Sequence, residues 1–227
     1  MSLARALASR DWDVAPPLGR GDDVSGAAHG VDLLVLATPD AAIADVARQV
    51  RPDADTVVVH LAGSLGLDVL APHPRRAGLH PLVSLPNPEV GAERLVGAWF
   101  GVAGDALVDK VVAALDGRSF PVADEVRPIY HATACIAANH LVALLGQVER
   151  LAGVTGVPFE VYMGLARDAL DNVAALGPGA ALTGPAARGD DATVQGHIDA
   201  LPPDERPAYE AMADQARRLA NESEPHD

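Results

Sequence analysis

Apolar positions fall into two regimes along the chain, short near-continuous runs before residue 124 and long helical stripes after it. Leu3, Ala6 and Leu7 recur at helical spacing, which predicts a short opening helix over residues 2–10. Residues 13–18 have strand character that Pro16 and Pro17 interrupt. The run VDLLVLA over residues 31–37 ends at Thr38-Pro39-Asp40, after which Ala42, Ile43, Val46, Ala47 and Val50 follow a helical period. A buried strand feeding a helix is the expected product. TVVVHL over residues 56–61, closed by Ala62-Gly63-Ser64, predicts a second strand. WFGVA at 99–103 and residues 119–122 predict two more, with a helix through 110–115 between them. Strands buried on both faces and alternating with helices are what a doubly wound parallel sheet requires, because each parallel crossover needs a covering helix. Residues 1–123 are therefore expected to be an α/β domain.

After Asp124 the pattern becomes helical. Residues 129–145 contain neither Gly nor Pro, and Val148 and Leu151 continue their apolar stripe toward Gly153. Residues 157–176, 191–201 and 207–219 predict three further amphipathic helices, and the tail, 221–227, is expected to fray. Residues 124–227 are thus expected to form a separate all-helical domain.

Composition narrows the classes of partner. The 227 residues carry a formal net charge of −14, which argues against nucleic acid or an anionic membrane surface and in favour of a small-molecule substrate. No run of the roughly 18–20 apolar residues that span a bilayer is evident, and no secretory signal pattern opens the chain, so a cytoplasmic protein is expected. The single cysteine, Cys135, rules out an intrachain disulfide and a cysteine-rich metal site. His60, His80, His131 and His140 lack the spacing of zinc ligands, so no metal is expected.

The candidate chemistry sits at a few places. In a doubly wound sheet, ligands bind beyond the carboxyl ends of the strands, where Thr38-Pro39-Asp40 and Ala62-Gly63-Ser64 fall. Simple helix capping by Thr38 or Asp40 is the competing account of the first motif. Arg20 follows the second strand position, where a basic residue suits the 2′-phosphate of NADP, although Asp22 and Asp23 dilute its charge. Arg127, His131, Cys135 and Asn139 recur at four-residue steps along one helix face, and His and Asn suit proton transfer and carbonyl orientation. Satisfied structural hydrogen bonds would account for them equally, and Tyr130 fits a core or interface position. In RGDD at 188–191 the aspartates suit an N-cap, whereas Arg188 could grip a carboxylate or phosphate.

VDLLVLATPDAAI, HLAGSLGLDVL, GLHPLVSL, YHATACIAANHLVALL and ALTGPAARGDDATVQGHIDAL, in this order, resemble the Rossmann-like proteins that carry the C-terminal domain of unknown function 2520. These are relatives of 6-phosphogluconate dehydrogenase, ketopantoate reductase and pyrroline-5-carboxylate reductase. The resemblance implies an NAD(P)-binding Rossmann domain, a helical domain that forms a homodimer, and hydride transfer to or from a small carboxylate-bearing carbonyl, imine or hydroxy acid. It places Arg20, Thr38, Pro39, His60 and Gly63 along the cofactor, with NADP favoured over NAD. His80, Tyr130 and Arg188 fall to the substrate, and His131 and Asn139 to catalysis. The lysine of the hydroxyacid dehydrogenases has no clear counterpart. Relatives open with a strand and a glycine-rich loop, whereas SLARALASRDWDV resembles the helix after that loop. The expectation is a start assigned too late, an edge position for residues 31–37 and doubtful cofactor binding by the chain as given. The alternative function is a non-catalytic, ligand-sensing or dimerising protein.

Overall fold

The computed structural model describes residues 1–223; of the tail expected to fray, residues 221–223 instead continue a helix, and residues 224–227 lie outside the described residues. The chain divides into two compact units, Met1–Leu141 and Val142–Asp227. The first contains α1 (Ser2–Ala8), β1 (Leu33–Leu36), α2 (Asp40–Gln49), β2 (Val57–His60), β3 (Arg75–Pro81), α3 (Pro88–Leu95), β4 (Trp99–Gly104), α4 (Leu107–Ala114), β5 (Arg118–Pro121) and α5 (Arg127–Cys135). The five strands form one sheet in the order β1-β2-β3-β4-β5, parallel except between β3 and β4. This is a mostly parallel Rossmann-like sheet with flanking helices, followed by helices alone. β1 occupies one edge, as its sequence position led one to expect.

Alternation along β2 explains why the sheet is covered on both sides. Val57 and Val59 join Leu3, Leu7, Leu79, Leu95, Phe100 and Val111 in one buried cluster, whereas Val58 joins Leu36, Ile43, Ala47 and Leu70 in another. Helices α1, α3 and α4 supply the first cluster and α2 the second.

Three expectations need correction. Residues 13–18 form no strand; Pro16 and Pro17 remove two ladder donors, and Val14 and Leu18 stay exposed. β3, the central strand, went unseen because Arg75, Arg76, Gly78, His80 and Pro81 break the apolar run, although Ala77 and Leu79 are fully buried. The third concerns length. Helical structure is continuous over Asp124–Thr155, and by length and hydropathy alone this segment would suffice to cross a bilayer.

Within that stretch the backbone widens into one π-helical turn, Ile136–His140, before α6 (Leu141–Thr155). The second unit continues with α7 (Phe159–Leu176), α8 (Pro178–Ala181), α9 (Asp191–Ala200) and α10 (Arg206–Ser223). Asp190 accepts the Thr193 N–H at 3.1 Å and caps α9. The bidentate Arg150–Glu205 pair, at 2.5 and 3.0 Å, ties α6 to the turn before α10.

Candidate functional site

Helix α5 comes close to the carboxyl edge of the sheet because three glycines leave room for its polar side chains. Arg127 Nη2 lies so near Gly78 of β3 that a methyl group there would approach it to 2.7 Å. The Tyr130 hydroxyl lies over Gly101 of β4 in the same way, at 2.6 Å. At Gly63, just past β2, a Cβ would collide with His131 Nδ1 and come within 2.9 Å of the His80 ring. Contacts this short do not occur with real Cβ atoms, so a side chain at any of these glycines would force the α5 side chain above it to shift.

Asp124 fastens this arrangement. One carboxylate oxygen accepts the Arg127 Nε–H at 3.0 Å and the other accepts the Leu67 N–H at 2.9 Å, joining the start of α5 to the loop that leaves β2. The Tyr130 hydroxyl and His80 Nδ1 share a hydrogen bond of 2.7 Å. The His80 ring is edge-on to both Tyr130 and His131, with centroids 5.5 Å away in each case. His131 Nε2 faces the Cys135 thiol at 3.7 Å.

What remains unpaired is concentrated here. Among the described residues, seven buried side-chain polar atoms have no hydrogen-bond partner. Six belong to Thr38, His60, Arg127 and His131: Thr38 Oγ1, both His60 nitrogens, both terminal Arg127 nitrogens and His131 Nδ1. Thr38 follows β1 by two residues, and Leu36 of β1 pairs in register with His60, so the group collects where β1 and β2 end. Buried polar groups are normally satisfied, and such a concentration marks a place meant to meet water or a ligand.

Electrostatics follow from that burial. His80 is held far below the ordinary imidazole value, at about 4, first by burial and then by His131 and Arg127. His60 is lowered for the same first reason, with Arg127 second; the Gly66 backbone, Asp124 and Asp40 oppose the shift without reversing it. Burial raises the Tyr130 phenol.

The structure therefore brings Thr38, His60, Gly63, His80, Tyr130 and His131 to one edge. Capping does not explain the Thr38 motif: Pro39 is the N-cap of α2, no side chain caps it, and Thr38 Oγ1 is unpaired. Pro39 itself is exposed. Asn139 is exposed on the π turn, since the wider turn carries the four-residue stripe away from the sheet after Cys135. Arg20 is exposed in a turn, without an ion pair among the described residues. Arg188 is exposed in the second unit, on the 3-10 turn Ala186–Arg188. Sequence reasoning assigned no role to Arg127, Asp124, Gly78 or Gly101. Arg127 lay on the same stripe as His131, which was the available signal, but a charge at a helix start ordinarily reads as solvated.

Comparison with known proteins follows the two halves of the chain. A Rossmann-like domain profile matches residues 17–86. A search of curated proteins gives no match. Among solved structures, protein TM1727 from Thermotoga maritima is 26% identical with a TM-score of 0.69, over 84% of this chain and 78% of its own. A candidate NADP oxidoreductase from Bacteroides fragilis is 19% identical with a TM-score of 0.77, over 96% and 93%. Plasmodium falciparum pyrroline carboxylate reductase, with NADP bound, is 11% identical with a TM-score of 0.58, also over 96% and 93%. The last two likenesses establish the fold. The profile of the Domain of unknown function (DUF2520) matches residues 101–216, a little over half of the chain, and the chain belongs to that family.

Proposed function

We propose that this protein is an oxidoreductase moving hydride between NADPH, or less favourably NADH, and a small carboxylate-bearing carbonyl, imine or hydroxy acid. The observation that carries the reading is the cluster of unpaired, buried polar atoms of Thr38, His60, Arg127 and His131 at the carboxyl edge of a Rossmann-like sheet, where dinucleotides bind in this fold. The NADP held by the Plasmodium relative supports the choice of cofactor.

The donor set fits a nicotinamide. Thr38, Pro39, His60 and Gly63 would hold it at this edge, with Arg20 toward a 2′-phosphate, and the bound cofactor would supply or accept the hydride. His131 would serve as general acid toward the substrate oxygen or nitrogen, its unpaired Nδ1 being the free position. His80 and Tyr130, already joined by a hydrogen bond, would orient the substrate. The family resemblance alone assigns Arg188 to the substrate's carboxylate and Asn139 to its carbonyl, and both side chains are exposed in this structure.

The exposed apolar faces of the second unit support a homodimer: Val154 is 72%, Val161 60%, Leu165 67% and Leu176 61% exposed. A cytoplasmic site of action accompanies this reading.

Titration calorimetry of NADPH and NADH, with turnover measured on a panel of 2-keto acids and cyclic imines, tests it. NADPH binds, and His131→Asn keeps binding while turnover falls about 10²- to 10⁴-fold, the usual worth of a positioned acid. Failure of both cofactors to bind would sink the enzyme reading and leave the non-catalytic, ligand-sensing alternative.

A further inference from the structure

Arg127 is the largest fully buried side chain among the described residues, 0% exposed, yet only its Nε has a partner. Asp124, that partner, is 40% exposed, so the pair is half in solvent on the carboxylate side and wholly dry on the guanidinium side. Arginine does not relieve burial by losing its proton, and a dry cation with free donors is destabilising unless its surroundings use it. Those surroundings are imidazoles. A methyl group at Gly78 would stand 2.7 Å from Arg127 Nη2 and 3.4 Å from His60 Cε1, so cation and ring flank the same bare point of β3. His60 is itself 0% exposed with both nitrogens unpaired, and His80 is two residues along β3 from Gly78.

We propose that Arg127 is a positioning residue: a permanent buried cation on α5 that acts with burial to keep His60, and more weakly His80, uncharged, so that each presents one donor and one acceptor at the carboxyl edge. Two protonated imidazoles would offer donors only, and a protonated His80 could only donate in the bond it shares with the Tyr130 hydroxyl. The groups facing the two rings are Asp40 from α2, Asp124 before α5, and Arg127, Tyr130 and His131 on α5. Burial opposes protonation of both rings first; at His60 Arg127 comes next, with Asp124 and Asp40 favouring protonation, whereas at His80 His131 and then Arg127 add to burial and Asp40 opposes them. The proposal rests on the oxidoreductase reading only for what the neutral rings serve.

Nitrogen-15 NMR of the histidine rings in the cofactor-free protein, from pH 8 downward, tests the proposal without turnover. His60 and His80 remain neutral at pH 6 in the wild type. Arg127→Met raises at least one of their midpoints by about one unit, a tenfold change in proton affinity, while Arg127→Lys keeps both low. Protonation of either ring at pH 6 in the wild type, or unchanged midpoints in a folded Arg127→Met protein, overturns the proposal. If Arg127→Met does not fold, the wild-type Arg127 Nε–H resonance decides: it moves as His80 titrates, and a constant signal through that titration overturns the coupling. Because no nicotinamide is present, failure here leaves the cofactor-binding test standing, and failure there leaves this one standing.

Discussion

The two compact units have opposite defects. The first closes two hydrophobic clusters around its sheet and leaves polar atoms unpaired where β1 and β2 end. The second pairs its polar groups well, through Arg150–Glu205, Asp190–Thr193 and Arg217 with Asp191 and Asp214, yet buries only Ala152, Val194 and Ala213 among its described apolar residues. Unpaired polar atoms inside a finished core ask for a small polar ligand, whereas unburied leucines and valines on well-formed helices ask for another apolar surface. One defect points to chemistry and the other to assembly.

The largest expected effect breaks the assembly side. Val161 and Leu165 are one helical turn apart on α7, and a charge at both removes the apolar stripe without touching the sheet unit. Val161→Asp/Leu165→Asp is expected to convert a dimer to a monomer in sedimentation velocity, with the far-ultraviolet spectrum kept. A double variant that sediments as the wild type would show that these residues face solvent in the working protein.

The next effect belongs to the first unit alone. An unfolded histidine takes up a proton near pH 6.5, whereas the folded protein withholds one from His80 until about pH 4. The unfolded chain therefore binds more protons between these limits, and stability present above pH 6.5 is lost progressively as pH falls toward 4. The full difference amounts to about 3 kcal/mol for His80, with His60 adding in the same direction. Urea unfolding from pH 7 to 4 should show this slope, and His80→Phe should flatten it. An equal slope in His80→Phe would place the acid sensitivity elsewhere.

The sequence disclosed the two units unequally, and the reason is physical. β1 and β2 were legible because strands covered on both faces must be apolar throughout, and the long helices because amphipathic stripes repeat every three to four residues. β3 was illegible because it lines the site: Gly78 makes room for Arg127, and His80 bonds to Tyr130, so the strand lost the composition by which strands are recognised. α3 was missed although its start was written plainly, with Asn87 accepting the Val90 N–H at 2.9 Å and Pro88 at the first helical position. Along α5 the four-residue step correctly joined Arg127, His131 and Cys135, but no local rule announced the π turn that leaves Asn139 in solvent. Charge at a helix start gave no hint that Arg127 would be dry, because burial there depends on a glycine forty-nine positions away in sequence.

The smallest expected effect sharpens the contrast between the units. Asn87 caps α3 in the first and Asp190 caps α9 in the second, each by one side-chain oxygen accepting the N–H three residues on. Replacing either with Ala removes a bond worth about 1 kcal/mol. In the first unit the loss falls on a helix whose Ala92 and Leu95 are built into the sheet cluster, so amide exchange should quicken evenly across the cooperative unit. In the second, α9 buries only Val194, and local opening costs little, so Asp190→Ala should quicken exchange mainly at residues 191–200. The same local pattern in both variants would mean that the first unit is no more consolidated than the second, and the difference in their cores would then have no counterpart in their stability.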